Sequence, residues 1–142
     1  MPSSHQRNSK LLLAACGLSG FAAVSLGALG AHALRDSLLA RNTLDSWHTA
    51  ANYQLAHSIA ALALLLFARQ QPAAAKLPQR IAAVWLVGGL LFSGSIYALA
   101  LGGPKLLGPV TPLGGLAFLA GWIGVIVLAI KPSPATPSTN AP

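Results

Sequence analysis

The chain has 142 residues, of which 54% are apolar and only 8% charged, with a formal net charge of +7. So few charges cannot cover the surface of a soluble domain, and the composition belongs to the membrane class. The Lys and Arg residues sit at the edges of apolar runs and form no basic stripe with interleaved aromatics, which argues against nucleic acid as a partner.

Residues 1–10, "MPSSHQRNSK", are polar and basic and are expected to be a disordered tail. The first apolar run, residues 11–34, is long enough to cross the bilayer, since ~20 residues rising ~1.5 Å each span ~30 Å of hydrocarbon. Ala31-His32-Ala33 fits a signal-peptide cleavage pattern behind Arg7 and Lys10. The run exceeds the ~7–15 apolar residues of a signal peptide, so an uncleaved helix is expected. Cys16, the only cysteine, sits within it as a small hydrophobe, leaving no internal disulfide and no cysteine zinc site. Ala15, Ser19, Ala23, Gly27 and Ala31 recur every fourth position, a stripe that lets another backbone approach closely.

In and just before residues 35–50, "RDSLLARNTLDSWHTA", Leu34, Leu38, Leu39, Leu44 and Trp47 recur at near-helical spacing among polar residues, the pattern of a short interfacial helix. Asn42 or Thr43 suits an N-cap for the second crossing, with Asp45 in its first turn. That crossing, residues 49–68, enters hydrocarbon near Ala51. A basic loop, 69–80, leads into a third span at 81–101, with Pro78 in its first turn. The turn-rich stretch 102–112 ends on Thr111-Pro112, read as N-cap and first residue of a fourth span at 113–130. Residues 131–142 are biased to Pro, Ser and Thr and are expected to be disordered. Trp47 and Trp85 fall near opposite boundaries, as interfacial anchors do.

The expected fold is therefore all-α: an antiparallel bundle of four transmembrane helices, with a short interfacial helix between the first and second. Gly27, Ala31, Gly89, Ser93, Tyr97 and Gly121 are the expected packing positions, because small residues and hydrogen bonds hold helices together in lipid. Arg7, Lys10, Arg69, Lys76, Arg80 and Lys131 share one face of the membrane, against Arg35, Arg41 and Lys105 on the other. The positive-inside rule then puts both termini in the cytoplasm.

Chemistry-bearing residues concentrate in "NYQLAH", residues 52–57, where Tyr53 and His57 are one turn apart with Gln54 beside them. Ionisable residues within a membrane span are expensive and tend to face the bundle interior. His57 then has two readings: hydrogen-bonding glue, or a site that relays protons or holds a metal or an anionic head group. His32 similarly either caps the first span or joins a ligand site. His32, Tyr53, Gln54 and His57 together form the candidate polar pocket. Trp122 carries an N–H that needs an acceptor, for which Ser93 or the third-span backbone is the expectation.

"FSGSIY", residues 92–97, offers serines, but Leu91 stands where a G-x-S-G intramembrane protease pattern needs its first glycine. Packing is the better reading of Ser93 and Ser95. Asp36 and Asp45 both lie between the first and second runs, so no span contains a carboxylate for a proton relay or a hard-cation site. Two separated histidines fall short of the three ligands of a catalytic zinc. No P-loop, Rossmann fingerprint or H-E-x-x-H occurs. No catalytic residue, metal or cofactor is expected.

"GALGAHAL" (27–34), "WHTAANYQLAH" (47–57), "LFSGSIYALAL" (91–101), "LGPVTPLGG" (107–115) and "GW" (121–122) occur in an order and spacing that covers about residues 11–130. In these motifs the chain resembles the YgdD-like small membrane proteins, domain-of-unknown-function family 423, which has eukaryotic relatives. Leu29 replaces the phenylalanine of the family's first motif. The resemblance implies an integral protein of about four helices, in the cell (inner) membrane for a chain of bacterial source. It supplies no established activity, cofactor or catalytic residue, and directs attention to His32, Tyr53, Gln54 and His57. The expected role is a binding or accessory component of the membrane. Its partner is the lipid bilayer, with a second copy or another membrane protein as candidate partners. The alternative is a small-solute or proton transporter with a polar pocket around His57 and Tyr53. An enzyme using His57 as acid/base on a lipid-like substrate would lack a nucleophile.

Overall fold

Within hydrocarbon a backbone amide finds no partner except another backbone group, so long runs of Leu, Ala and Val close their own helical ladders. The computed structural model describes residues 4–131 and shows this outcome throughout, with no strand among the described residues. Five α-helices follow one another: α1 (Ser4–Ala31), α2 (Arg35–Ala40), α3 (Leu44–Gln70), α4 (Lys76–Ala100) and α5 (Val110–Ile130). Single 3-10 turns at Pro72–Ala74 and Lys105–Leu107 connect the last three. All but α2 are long and apolar enough to cross a membrane. The fold is the expected all-α membrane bundle of four spans, with α2 as the short helix between the first and second.

The helix ends differ from expectation in instructive ways. α1 reaches back to Ser4, through a stretch expected to be disordered. Nothing between Ser4 and Leu11 is Gly or Pro, so the ladder continues past the apolar run. It stops at Ala31 rather than Leu34, because the Leu34 N–H turns back to Leu29 O at 2.8 Å. Thr43 does precede α3, with Asp45 in the first turn. Its hydroxyl accepts no cap bond and lies instead 3.4 Å from Leu38 O and 3.3 Å from Ala100 O, tying α2 and the end of α4 to the start of α3. α4 begins at Lys76, so Pro78 sits in its first turn as anticipated. α5 begins at Val110, which moves Pro112 deeper into the first turn, where its missing N–H still costs no ladder bond. Thr111 is therefore no cap; its hydroxyl shares a 2.7 Å hydrogen bond with Ser95 Oγ. Of the tail expected to be disordered, residues 131–142, all but Lys131 lie outside the described residues.

α3 and α4 pack together at the centre, with α1 against α3 and α5 against α4. Each neighbouring pair is antiparallel. Cys16 meets Ser58 while Gly30 meets Trp47, and Gly114 meets Phe92 while Gly121 meets Trp85.

The two tryptophans expected at the interfaces are instead core residues, Trp47 1% and Trp85 2% exposed. Each packs directly against a glycine of the adjacent helix: a Cβ added to Gly30 would collide with the Trp47 indole, and one on Gly121 with the Trp85 indole. Each N–H then reaches a carbonyl one turn earlier, Trp47 Nε1 donating to Leu26 O at 2.7 Å and Trp85 Nε1 to Phe118 O at 3.1 Å. A missing side chain makes room for the ring, and a nearby carbonyl satisfies its donor.

Other packing expectations need correction. Steps of four residues advance ~40° beyond a full turn, so a five-member stripe spreads over ~160° of the helix. Accordingly Ala15 and Ala31, at the stripe's ends, are exposed, while Ser19, Ala23 and Gly27 remain on the α3 side with Cys16 and Gly30. Gly89 is buried, but a Cβ there would meet nothing within 4 Å. The close approach falls one residue earlier, at Gly88, whose Cβ would stand 3.1 Å from both Ala117 Cβ and Phe118 Cδ1.

Candidate functional site

His57 and Tyr53 share a face of α3, and that face meets α4 and α5. The imidazole is 8% exposed and stacks on Phe118, with centroids 3.7 Å apart and planes 15° from parallel. The rings of Trp85 and Trp122 stand edge-on at 5.8 and 6.1 Å. Nδ1 lies 2.8 Å from Tyr53 O, and Nε2 lies 3.2 Å from Trp122 Nε1. An indole N–H can only donate, so Nε2 is the acceptor and Nδ1 carries the hydrogen given to Tyr53 O. Both ring nitrogens are engaged. The Trp122 acceptor is therefore His57, neither Ser93 nor the α4 backbone.

Tyr53 lies at the rim of this aromatic box, half exposed, 5.2 Å from Phe92 and 6.2 Å from Phe118 between centroids. Trp122 is equally exposed on the α5 side. Aromatic rings rather than polar groups thus surround the imidazole.

Gln54, one residue on from Tyr53, is turned ~100° around the helix and enters a different network. Its Nε2 donates to Ser19 O at 3.1 Å, and its Oε1 accepts from the Tyr97 hydroxyl at 3.0 Å. Ser58 Oγ lies 2.8 Å from Ser19 Oγ and 2.7 Å from Gln54 O, and the Cys16 thiol donates to Ser58 O at 2.9 Å. Ser93 Oγ donates to Ala50 O at 2.8 Å. This second set stitches α1, α3 and α4 together, and gives the expected packing residues Ser93 and Tyr97 a hydrogen-bonding role as well.

His32 stands apart from both networks. It is exposed in the turn after α1, where its backbone N–H, 3.1 Å from Ala28 O, continues the ladder. Of the four candidate pocket residues, the fold brings Tyr53 and His57 together, puts Gln54 on a neighbouring face and leaves His32 outside. Among the described residues every buried side-chain nitrogen and oxygen has a hydrogen-bond partner, and no group of three His, Cys, Asp or Glu could hold a metal.

One feature was missed by sequence reasoning. A groove of about 470 Å³ opens where the start of α3 meets the end of α4 and the start of α5, lined by Asp45, Ser46, Thr49, Ile96, Leu99 and Thr111 among others. The available signal was the spacing of Asp45, Ser46 and Thr49, which puts a carboxylate and two hydroxyls on one side of a helix. Asp45 had been accounted for by the helix dipole alone.

Four antiparallel membrane spans, tied together by buried side-chain hydrogen bonds, define a small multi-pass membrane protein of the helical-bundle class. Comparison with known proteins goes further. The family model described as "Protein of unknown function (DUF423)" matches residues 26–115. The chain is 44% identical over 126 residues to a UPF0382 membrane protein of Haemophilus influenzae, covering 88% of this chain and 96% of that one. It is 38% identical over 132 residues to the UPF0382 inner membrane protein YgdD of Escherichia coli, covering 87% and 92% respectively. A UPF0382 membrane protein of Schizosaccharomyces pombe is 39% identical over 116 residues, covering 78% of this chain and 93% of that one. No solved structure matches. The chain belongs to the DUF423 family of membrane proteins, in keeping with the motifs in its sequence.

Proposed function

We propose that this protein is a non-catalytic binding or accessory component of the cell membrane, with the lipid bilayer as its partner. The observation that carries this reading is the double engagement of His57, by Tyr53 O and Trp122 Nε1. A transporter needs polar groups free to exchange partners along a route, and a hydrolase needs a nucleophile within reach of its base. His57 meets neither requirement: its neighbours are aromatic, and no hydroxyl or thiol bonds to its ring among the described residues. The alternative of a proton or solute pathway past His57 and Tyr53 is correspondingly disfavoured. The Lys and Arg distribution supports cytoplasmic termini, and the printed name of the Escherichia coli relative supports the inner membrane.

Proton flux into proteoliposomes containing the full chain, followed with an enclosed pH-sensitive dye, tests the proposal. The expected rate equals that of protein-free vesicles. A faster rate that disappears in His57→Ala would overturn it.

A further inference from the structure

The groove at the outer ends of α3, α4 and α5 has the size of a ligand site, at about 470 Å³. Its two walls differ in character. α3 contributes the Asp45 carboxylate with the Ser46 and Thr49 hydroxyls, while α4 contributes Ile96, Leu99 and Ala100. The hydroxyls of Thr43 and Thr111, also in the lining, are engaged by Leu38 and Ala100 carbonyls and by Ser95. Asp45, Ser46 and Thr49 are exposed and so face whatever occupies the groove.

Height in the membrane restricts that occupant. The apolar part of α3 begins near Ala51, so Thr49 and Asp45 lie ~3 and ~9 Å outside it, in the head-group layer. Ile96 and Leu99 present an apolar wall on the same groove. An occupant that matches both is amphiphilic. In a chain with a net charge of +7 and only two acids, a carboxylate lining a groove selects for a cation. A metal is a poor match, because hard cations take six or more oxygens and usually several carboxylates. A primary ammonium is a good one, since its three N–H donors suit one carboxylate and two hydroxyls. Asp45 also complements the positive end of α3, but that role accounts for neither the hydroxyls beside it nor the cavity.

We propose that this groove binds the primary-ammonium head group of a membrane phospholipid, with Asp45, Ser46 and Thr49 on the ammonium and Ile96 and Leu99 against the methylenes of that head group. The assignment rests on reading the protein as a binding component and names its ligand class. It also predicts discrimination, because a trimethylated ammonium has no N–H to donate.

Native mass spectrometry tests it on the full chain, released from bilayers holding equal phosphatidylethanolamine, phosphatidylcholine and phosphatidylglycerol with identical acyl chains. Phosphatidylethanolamine should be retained about tenfold over each of the others, the ratio set by ~1.4 kcal/mol. Asp45→Asn should erase that preference, and Thr49→Leu, which fills the groove without touching the charge, should lower retention of bound lipid. Free ethanolamine should not displace the lipid. Equal retention of the three lipids, a preference surviving in Asp45→Asn, unchanged retention in Thr49→Leu, or displacement by free ethanolamine would each overturn the assignment. The first of these leaves the non-catalytic reading intact, since proton flux tests that reading separately.

Discussion

Trp122 on α5 donates its indole N–H to Nε2 of His57 on α3, at 3.2 Å, joining two helices that both flank α4. In an apolar surrounding each of these groups is a liability without the other. Together they account for a histidine and a tryptophan within membrane spans, with no need for a solute.

Trp122→Phe keeps the aromatic bulk and removes only the donor. It should cost about 0.6–1.7 kcal/mol, the range for side-chain hydrogen bonds between membrane helices. The cost should shrink when His57 is already phenylalanine. A double-mutant cycle, read by reversible unfolding in detergent, measures this coupling, and additive losses would deny the bond.

Gly121 and Gly89 make a second test, because both are buried glycines on packed helices but only one faces a ring. Gly121→Ala drives a Cβ into the Trp85 indole and should destabilise by about 1–3 kcal/mol. At Gly89 a Cβ meets nothing within 4 Å, so Gly89→Ala should be neutral or stabilising by up to about 1 kcal/mol. The two melting temperatures should move in opposite directions or differ by several degrees.

The contrast between these glycines also shows what could be seen in the sequence. The four spans were legible because hydrocarbon thickness fixes run length, and hydropathy alone reports it. The polar start of α1, residues 4–10, was misjudged, since its lack of Gly and Pro mattered more than its polarity. Partner choice was not legible. Gly88 and Gly89 differ by ~100° of helix rotation, and the sequence does not say which one faces α5. The burial of Trp47 and Trp85 required knowing that Gly30 and Gly121 would lie opposite them. The groove beside Asp45 exists only after three separate helix ends are brought together.

Gln54 links Ser19 on α1 to Tyr97 on α4, so Gln54→Leu should loosen both contacts at once. Tyr97→Phe breaks only the second and should cost less, again about 0.6–1.7 kcal/mol. Hydrogen exchange at the α1–α3 contact should rise in Gln54→Leu and stay unchanged in Tyr97→Phe.

His32, exposed and bonded only through its backbone, should tolerate replacement. His32→Ala is expected to shift stability by less than about 0.5 kcal/mol. A melting temperature several degrees lower would return His32 to the bundle's structural core.

Nitrogen-15 NMR of labelled histidine in the full chain, reconstituted in lipid, reads the His57 ring directly. A hydrogen on Nδ1 and a bare, hydrogen-bonded Nε2 is the result the account predicts, because Trp122 has no lone pair to accept one. A hydrogen on Nε2, or a ring exchanging between both forms, would contradict it and reopen the imidazole to a ligand or a proton.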